Sequence, residues 1–422
     1  MIEVTCAGAK HESHPNAQKN TIFEHDAMAK SPTKHKPKAK ILVNYPGQPF
    51  NGLPQLPPLA DLETKAILKR CVAARTELTE LKISGQLIPD ESVLINAIPI
   101  LEARASSEIE NIVTTNDSLF RAASLGRDNP ADDPAVKEAF RYRTALHQGF
   151  MALNERPLTS RIAIETCRTI TGTDLDIRAT PGTTLKNGVT GEVIYTPPEG
   201  ANLIRDLLGN WERYVNAESD IDPLIRMAVQ HYQFEAIHPF SDGNGRTGRI
   251  LNLLFLVQAG LLDKPTLYLS RHILRTRSEY YSSLAQVTRD GAWEAWVIYM
   301  LTAVEQTARW TNNKVRAVRN LMQEASAYVR VTKPKIYSRE LVELLFTQPY
   351  CRIENITGAG LGNRATASGY LKQLVAIGLL EEEKVWRDKV FINRKYLDLL
   401  SSEEHSFDKY GDTPMQTRSA LD

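Results

Sequence analysis

The segment that most constrains this chain is a helix, a loop and a second helix in which the loop reads His238-Pro-Phe-Ser-Asp-Gly-Asn-Gly-Arg-Thr-Gly-Arg249. Upstream, Asp222-Pro223 has the form of an N-cap followed by proline at the first helical position. Leu224, Ile225, Ala228, Val229 and Tyr232 then recur at helical spacing. That helix delivers Phe234, Glu235 and His238 into the loop. Downstream, Ile250, Leu251, Leu253, Leu254, Leu256 and Val257 form an apolar run ending at Gly260, the pattern of a buried helix with a glycine stop.

The loop gathers residue types that an ordinary turn does not need together. Gly243-Asn244-Gly245 stands at a helix start, where bare α-carbons let an anion reach unpaired backbone N–H groups and the helix dipole favours negative charge. Arg246 and Arg249, three apart, share one face of the first turn and can fork onto phosphate oxygens. Asp242 is a hard oxygen ligand beside that position, suited to Mg²⁺ held by a carboxylate and substrate phosphates. His238 is the neighbouring side chain whose ordinary pKa lets it act as a neutral base near pH 7. Singly, a histidine before proline, a glycine turn, a turn-forming aspartate and surface arginines are commonplace. Their concentration in twelve positions points to a nucleotide site.

This stretch resembles the signature of the Fic family without departure: histidine, proline, phenylalanine, any residue, an acid, glycine, asparagine, glycine, arginine, two free positions, arginine. The resemblance implies transfer of AMP from ATP to a Ser, Thr or Tyr hydroxyl of a protein, releasing pyrophosphate. His238 would deprotonate the hydroxyl and Asp242 would hold Mg²⁺. Asn244, with the amides of Gly243 and Gly245, would position the α-phosphate, and Arg246 and Arg249 would bind the β- and γ-phosphates. Gly245 fits the AMP-transferring members, whereas the similar Doc-like kinases carry a lysine there.

Ser106-Ser-Glu-Ile-Glu110-Asn111 resembles the family's inhibitory motif, whose glutamate pairs with the second arginine; here that pair is Glu110 and Arg249. A carboxylate in the guanidinium fork excludes the γ-phosphate, so the resemblance implies autoinhibition. In some relatives the same glutamate orients water, which makes AMP removal the alternative direction. Residues 180–198 read as a hairpin turning at Lys186-Asn187-Gly188, with Val193-Ile-Tyr195 as its second strand. By resemblance this is a flap on which Thr183, Thr184, Leu185 and Lys186 align a target by strand addition. Tyr280 and Tyr281 are candidates for an adenine wall.

Lys plus Arg total 51 against 50 Asp plus Glu, so no global field recruits nucleic acid or a membrane. Four scattered cysteines, the lack of a transmembrane-length apolar run and the lack of a signal-peptide core give a cytoplasmic expectation. The fold class expected is mainly α: a Fic-type helical core with one hairpin, a helical N-terminal region and a C-terminal winged-helix-like α+β domain. The expected divisions are 1–44, a flexible tail; 45–115, carrying the inhibitory helix; 116–325, the core; 330–400, the winged-helix-like domain; and 401–422, a tail. A long helix from Leu62 to Ser84, closed by Gly85, should bury Ile67, Leu68, Cys71, Val72, Leu78 and Leu81.

At the C-terminus, helices over 338–346, 353–357 and 364–377 precede two strands within 379–392. Arg364 and Lys372 are candidate DNA contacts, yet Glu381-Glu-Glu383 would repel phosphates, so protein docking or dimerisation ranks above DNA binding. ATP and a hydroxyl-bearing protein target, the chain itself included, are the implied partners. The competing class is a DNA-binding regulator with the core as sensor.

Overall fold

The structure is a computed structural model that describes residues 2–5, 46–86, 92–125, 133–188, 190–385 and 388–411. The elements run β1 (Ile2–Thr5), α1 (Lys65–Gln86), α2 (Ser92–Ile109), α3 (Asn116–Leu125), α4 (Pro134–Ala152), α5 (Ser160–Thr171), β2 (Thr184–Asn187), β3 (Val193–Tyr195), α6 (Ala201–Asn216), α7 (Pro223–Ile237) and α8 (Asn244–Gln258). They continue with α9 (Leu269–Arg275), α10 (Arg277–Asp290), α11 (Trp293–Thr332), α12 (Arg339–Thr347), β4 (Tyr350–Cys351), α13 (Ile353–Gly358), α14 (Arg364–Ala376), β5 (Glu381–Val385), β6 (Asp388–Ile392) and α15 (Arg394–Ser401). The fold is mainly helical, with two small antiparallel sheets ordered β1-β2-β3 and β4-β6-β5.

The helix pair legible in the sequence lies at the centre. Asp222 caps α7 by accepting from the Leu224 N–H at 2.8 Å, with Pro223 in the first turn. Leu251, Leu253, Leu254 and Leu256 of α8 are fully buried, each contributing on the order of 1.5–3 kcal/mol by leaving water. Gly248 of α8 lets α7 pack close: a Cβ there would lie 2.5 Å from Glu235 Oε1 and 3.3 Å from the His231 and Phe234 rings, so the glutamate would have to move. Trp296 of α11 ties in from the other side, donating its indole N–H to the Ala228 carbonyl at 2.8 Å.

Helix α1 runs through Gly85 to Gln86, past the stop read from sequence, because one glycine costs a helix only about 1 kcal/mol and tertiary packing outweighs it. It packs along α11. Ile67, Cys71, Leu78 and Leu81 are buried as expected, but Leu68 and Val72 face outward at 42% and 68% exposure, so the buried stripe is narrower than the apolar one. The boundary expected between 325 and 330 falls inside the continuous helix α11. Residues 2–5, expected to be part of a flexible tail, pair with β2 in the register Val4 with Leu185 and Thr5 with Thr184. Most of that tail, and 412–422 of the C-terminal one, lie outside the described residues.

The C-terminal elements follow the expected order of three helices and a strand pair, with the short strand β4 added as a third sheet member. The acidic strand β5 turns toward the body of the protein. Glu383 takes both terminal nitrogens of Arg121 on α3, at 2.8 and 3.2 Å, and the Tyr350 hydroxyl donates to Asp117 at 2.6 Å. No described helix is long and apolar enough to cross a membrane.

Candidate functional site

His238 ends α7 with φ at 49°, a left-handed conformation that costs a non-glycine residue on the order of 1–3 kcal/mol. Arg178 holds it there. Its Nε donates to the His238 carbonyl at 2.7 Å, Nη2 to the Ile237 carbonyl at 3.2 Å, and its backbone N–H to the Pro239 carbonyl at 2.9 Å. The imidazole is buried beside the Glu235 backbone, and no side chain hydrogen-bonds either ring nitrogen. Burial, reinforced by the Arg178 charge, pushes its pKa down to about 4. A neutral ring with a free lone pair follows at pH 7.

Helix α8 starts at Asn244 on Gly243, which sits at φ 78° with no side chain capping the helix. The open first-turn N–H groups and the dipole make its mouth attractive to anions. Gly243 is needed for the positive φ and because a Cβ would lie 3.1 Å from Cys167 Sγ. Asn244 does not face this mouth with its amide. Oδ1 accepts from the Phe240 N–H at 2.9 Å and Nδ2 donates to the Phe240 carbonyl at 2.8 Å, so the side chain staples the loop shut.

Arg246 is buried between two carboxylates, Glu138 of α4 and Asp242 at 3.1 Å. Asp242 is 70% exposed, and its Oδ1 also accepts from the Gly243 N–H at 2.6 Å. Among the described residues no group of three His, Cys, Asp or Glu side chains could enclose a metal ion. One exposed carboxylate at an anion-binding mouth nevertheless fits Mg²⁺, which binds readily through a single carboxylate shared with substrate phosphates.

Arg249 is 1% exposed. Its Nε donates to Ser106 Oγ at 2.8 Å, and Nη2 donates to the Ser106 carbonyl at 2.9 Å and to Glu110 Oε1 at 2.8 Å. The same Glu110 oxygen would lie 2.5 Å from a Cβ on Gly245, so the carboxylate rests on the bare α-carbon at the mouth of α8. Glu110 follows the last residue of α2. Asn111 turns the chain there at φ 66° and accepts from Arg277 Nη1 at 3.0 Å. Glu102, buried on α2, fixes the helix by accepting from the Tyr142 hydroxyl at 3.1 Å and the Ser270 N–H at 2.9 Å.

Beside the loop is a cavity of about 340 Å³ lined by Leu185, Ile194 and Tyr195 of the hairpin, Tyr232 and Glu235 of α7, and Tyr281 and Leu284 of α10. Of the two tyrosines expected at an adenine wall, Tyr281 lines this space. Tyr280 is buried in the core, with its hydroxyl 2.9 Å from His231 Nε2 and its ring against Trp296. In the hairpin, Leu185 pairs with Tyr195 and Lys186 with Val193 across a bulge, while Thr183 is buried just before β2 and Thr184 begins it.

Three residues of the site were not assigned roles from sequence. Arg178 lies in an irregular segment where no periodicity marks it, and Glu138 is one more acid on an amphipathic helix. Helical spacing sets Glu235 near the loop, but nothing in the sequence marks the desolvation that pushes its carboxyl up to about 7.

Residues 160–256 match the profile of the Fic/DOC family, residues 68–151 its N-terminal domain, and residues 321–396 the C-terminal domain of SoFic-like protein adenylyltransferases. Over 89 residues, 21% of this chain and 16% of the relative, the sequence is 38% identical to protein adenylyltransferase fic-1 of Caenorhabditis elegans. Over 85 residues, 20% of this chain and 23% of the relative, it is 42% identical to probable protein adenylyltransferase aq_aa38 of Aquifex aeolicus. The matches therefore span about a sixth to a quarter of those relatives' length. A Fic family protein from Desulfovibrio desulfuricans G20 superposes with a TM-score of 0.47 at 17% identity, covering 78% of this chain and 96% of that one. The chain thus carries Fic/DOC family domains in its N-terminal and core regions, with the loop at 238–249 inside the core match.

Proposed function

We propose that this protein is an autoinhibited adenylyltransferase that moves AMP from ATP to a hydroxyl side chain of a protein. The observation that carries this reading is a buried, neutral His238 at the end of α7 followed directly by the uncapped mouth of α8, rimmed by Arg246 and Arg249. His238 takes the proton of the target hydroxyl, whose oxygen attacks the α-phosphorus. The bond from that phosphorus to the α–β bridging oxygen breaks, and pyrophosphate leaves. The amides at the helix mouth hold the phosphates in line, and the arginines neutralise charge on the leaving group. Asp242 would hold Mg²⁺, which when bound supplies charge neutralisation on the phosphates. Asn244 acts as a positioning residue through Phe240.

Autoinhibition is supported by where Glu110 stands. Its carboxylate takes both the Arg249 guanidinium and the space over Gly245, so ATP must displace it before its terminal phosphate can reach Arg249. The cavity bounded by Tyr281, Leu284 and the hairpin is a fitting place for the base, and the β2 edge a fitting place for a target strand once residues 2–5 leave it. For the C-terminal module we favour docking over DNA reading, because its acidic strand is engaged by Arg121, Lys389 and Arg394.

Labelled ATP tests the reading. Parent, Glu110→Gly and His238→Ala chains are incubated with ATP and Mg²⁺ and scored for AMP on protein by intact mass. Strong labelling by Glu110→Gly and none by His238→Ala is expected. No label from any chain, coupled with release of AMP from a modified target without ATP, would replace transfer by removal.

A further inference from the structure

A second cavity, polar and of about 520 Å³, lies where α9, α11 and the segment after α15 meet. Its walls carry Arg271, His272, Arg275, Arg309, Trp310 and His405. Three polar atoms on these walls are buried without a hydrogen-bond partner: Arg271 Nε, Trp310 Nε1 and His405 Nδ1. Trp310 is only 8% exposed, and an indole N–H can do nothing but donate. Leaving such a donor unmade costs on the order of 1–3 kcal/mol.

The cationic groups here are held by acids from elsewhere. Glu403 takes Arg271 and, at 2.9 Å, Arg275 Nη1, while Arg309 reaches Glu77 at 2.8 Å and Glu305 at 2.9 Å. The Glu403 carboxylate is 60% exposed and sits on two guanidinium groups one helical turn apart. The Arg271 guanidinium also lies 4.7 Å over the Trp310 ring, which fixes it in place without using its donors. Burial holds His272 and His405 below the ordinary imidazole range, so both serve as neutral groups.

From this convergence we propose that the cavity is a binding site for a compact, multiply charged phosphate anion, with the Glu403 carboxylate occupying part of the anion's place in its absence. A tetrahedral anion accepts hydrogen bonds from several directions at once, which suits guanidinium, indole and imidazole donors on separate walls better than a planar carboxylate does. The site is separate from the α8 mouth, since none of its wall residues belongs to the 238–249 loop.

The test is calorimetric titration of the full chain with inorganic phosphate and, separately, with pyrophosphate, the two arms distinguishing a single phosphate group from a linked pair. The Arg246→Ala chain is titrated beside the parent to remove binding at the α8 mouth. Saturable binding of at least one of the two anions should survive Arg246→Ala, weaken at least tenfold in Arg275→Ala/Arg309→Ala, and tighten severalfold in Glu403→Gln. Arg275 and Arg309 are 58% and 53% exposed, so the double variant should keep its fold, and Glu403→Gln gives a gain that a folding defect cannot mimic. Equal affinity in parent and double variant, weaker binding in Glu403→Gln, or no saturable binding of either anion would overturn the proposal.

Discussion

Arg249 Nη2 donates to Glu110 Oε1 over 2.8 Å although 139 residues of chain separate them. The carboxylate is therefore both counter-ion to a guanidinium buried to 1% exposure and cover for the helix mouth at Gly245.

Glu110→Gly should raise AMP transfer. A hydrogen bond between charged groups is worth about 1.5–3 kcal/mol, so freeing Arg249 should increase ATP occupancy roughly ten- to hundredfold at subsaturating ATP. Labelled-ATP incorporation and nucleotide titration measure both effects, and an apparent ATP affinity unchanged from the parent would rule the competition out.

Gly245→Ala, placed in the Glu110→Gly background, should cancel that gain. The added methyl would lie 3.0 Å from Arg249 Nη1 and in the space that the Glu110 carboxylate fills in the parent. If carboxylate and phosphate share that space, ATP binding in the double variant should fall at least tenfold below Glu110→Gly, about 1.4 kcal/mol. Retained binding would mean that the phosphate sits elsewhere.

Arg178→Ala removes the donors that hold the carbonyls of Ile237 and His238. The expected loss is on the order of 1–3 kcal/mol, from buried carbonyls left unpaired. Because Arg178 fixes the backbone of His238, the base of the proposed reaction, and lies outside the 238–249 loop, kcat should fall while KM for ATP stays close to the parent value. A change confined to KM would contradict this.

Two buried histidines set an acid limit to stability. Burial pushes His231 down to about 3 and His238 to about 4, from an ordinary 6.5. As pH falls below 6.5 the unfolded chain takes up protons first, so this stability is present above 6.5 and is lost as pH falls toward 3. The shifts correspond to about 3 kcal/mol for His238 and about 5 kcal/mol for His231. Glu235 acts oppositely: its stability is present below 4.5 and is lost as pH rises through about 7. Denaturant melts of the parent between pH 6.5 and 4 should show falling stability, with a shallower slope in His238→Ala. AMP transfer should also show no limb near 6.5, since the base stays neutral there.

The order of elements around the site was legible because its signals are local. Asp222-Pro223 and Gly260 bracket the helix pair by capping and backbone preference, and the 238–249 loop concentrates chemistry within a dozen positions. Local patterning misled where one face had to be chosen. Leu68 and Val72 are as apolar as their buried neighbours, and only the placement of α11 decides which side of α1 is covered. Tyr280 and Tyr281 are adjacent and alike, but a helix turns about 100° per residue, so one joins the core and the other the cavity.

By itself, then, the sequence determined a mainly helical chain with Fic/DOC domains, a glycine-lined helix start and the titratable and charged residues gathered beside it, because spacing and residue chemistry are written along the backbone. Tertiary structure decided which of them meet. It set Glu110 against Arg249, turned Asn244 inward onto Phe240, brought Arg178 to the His238 carbonyl and Glu138 to Arg246, and folded the acidic strand onto Arg121. Those pairings depend on long-range packing and on the cost of leaving buried charges unmatched, neither of which any local stretch of sequence records.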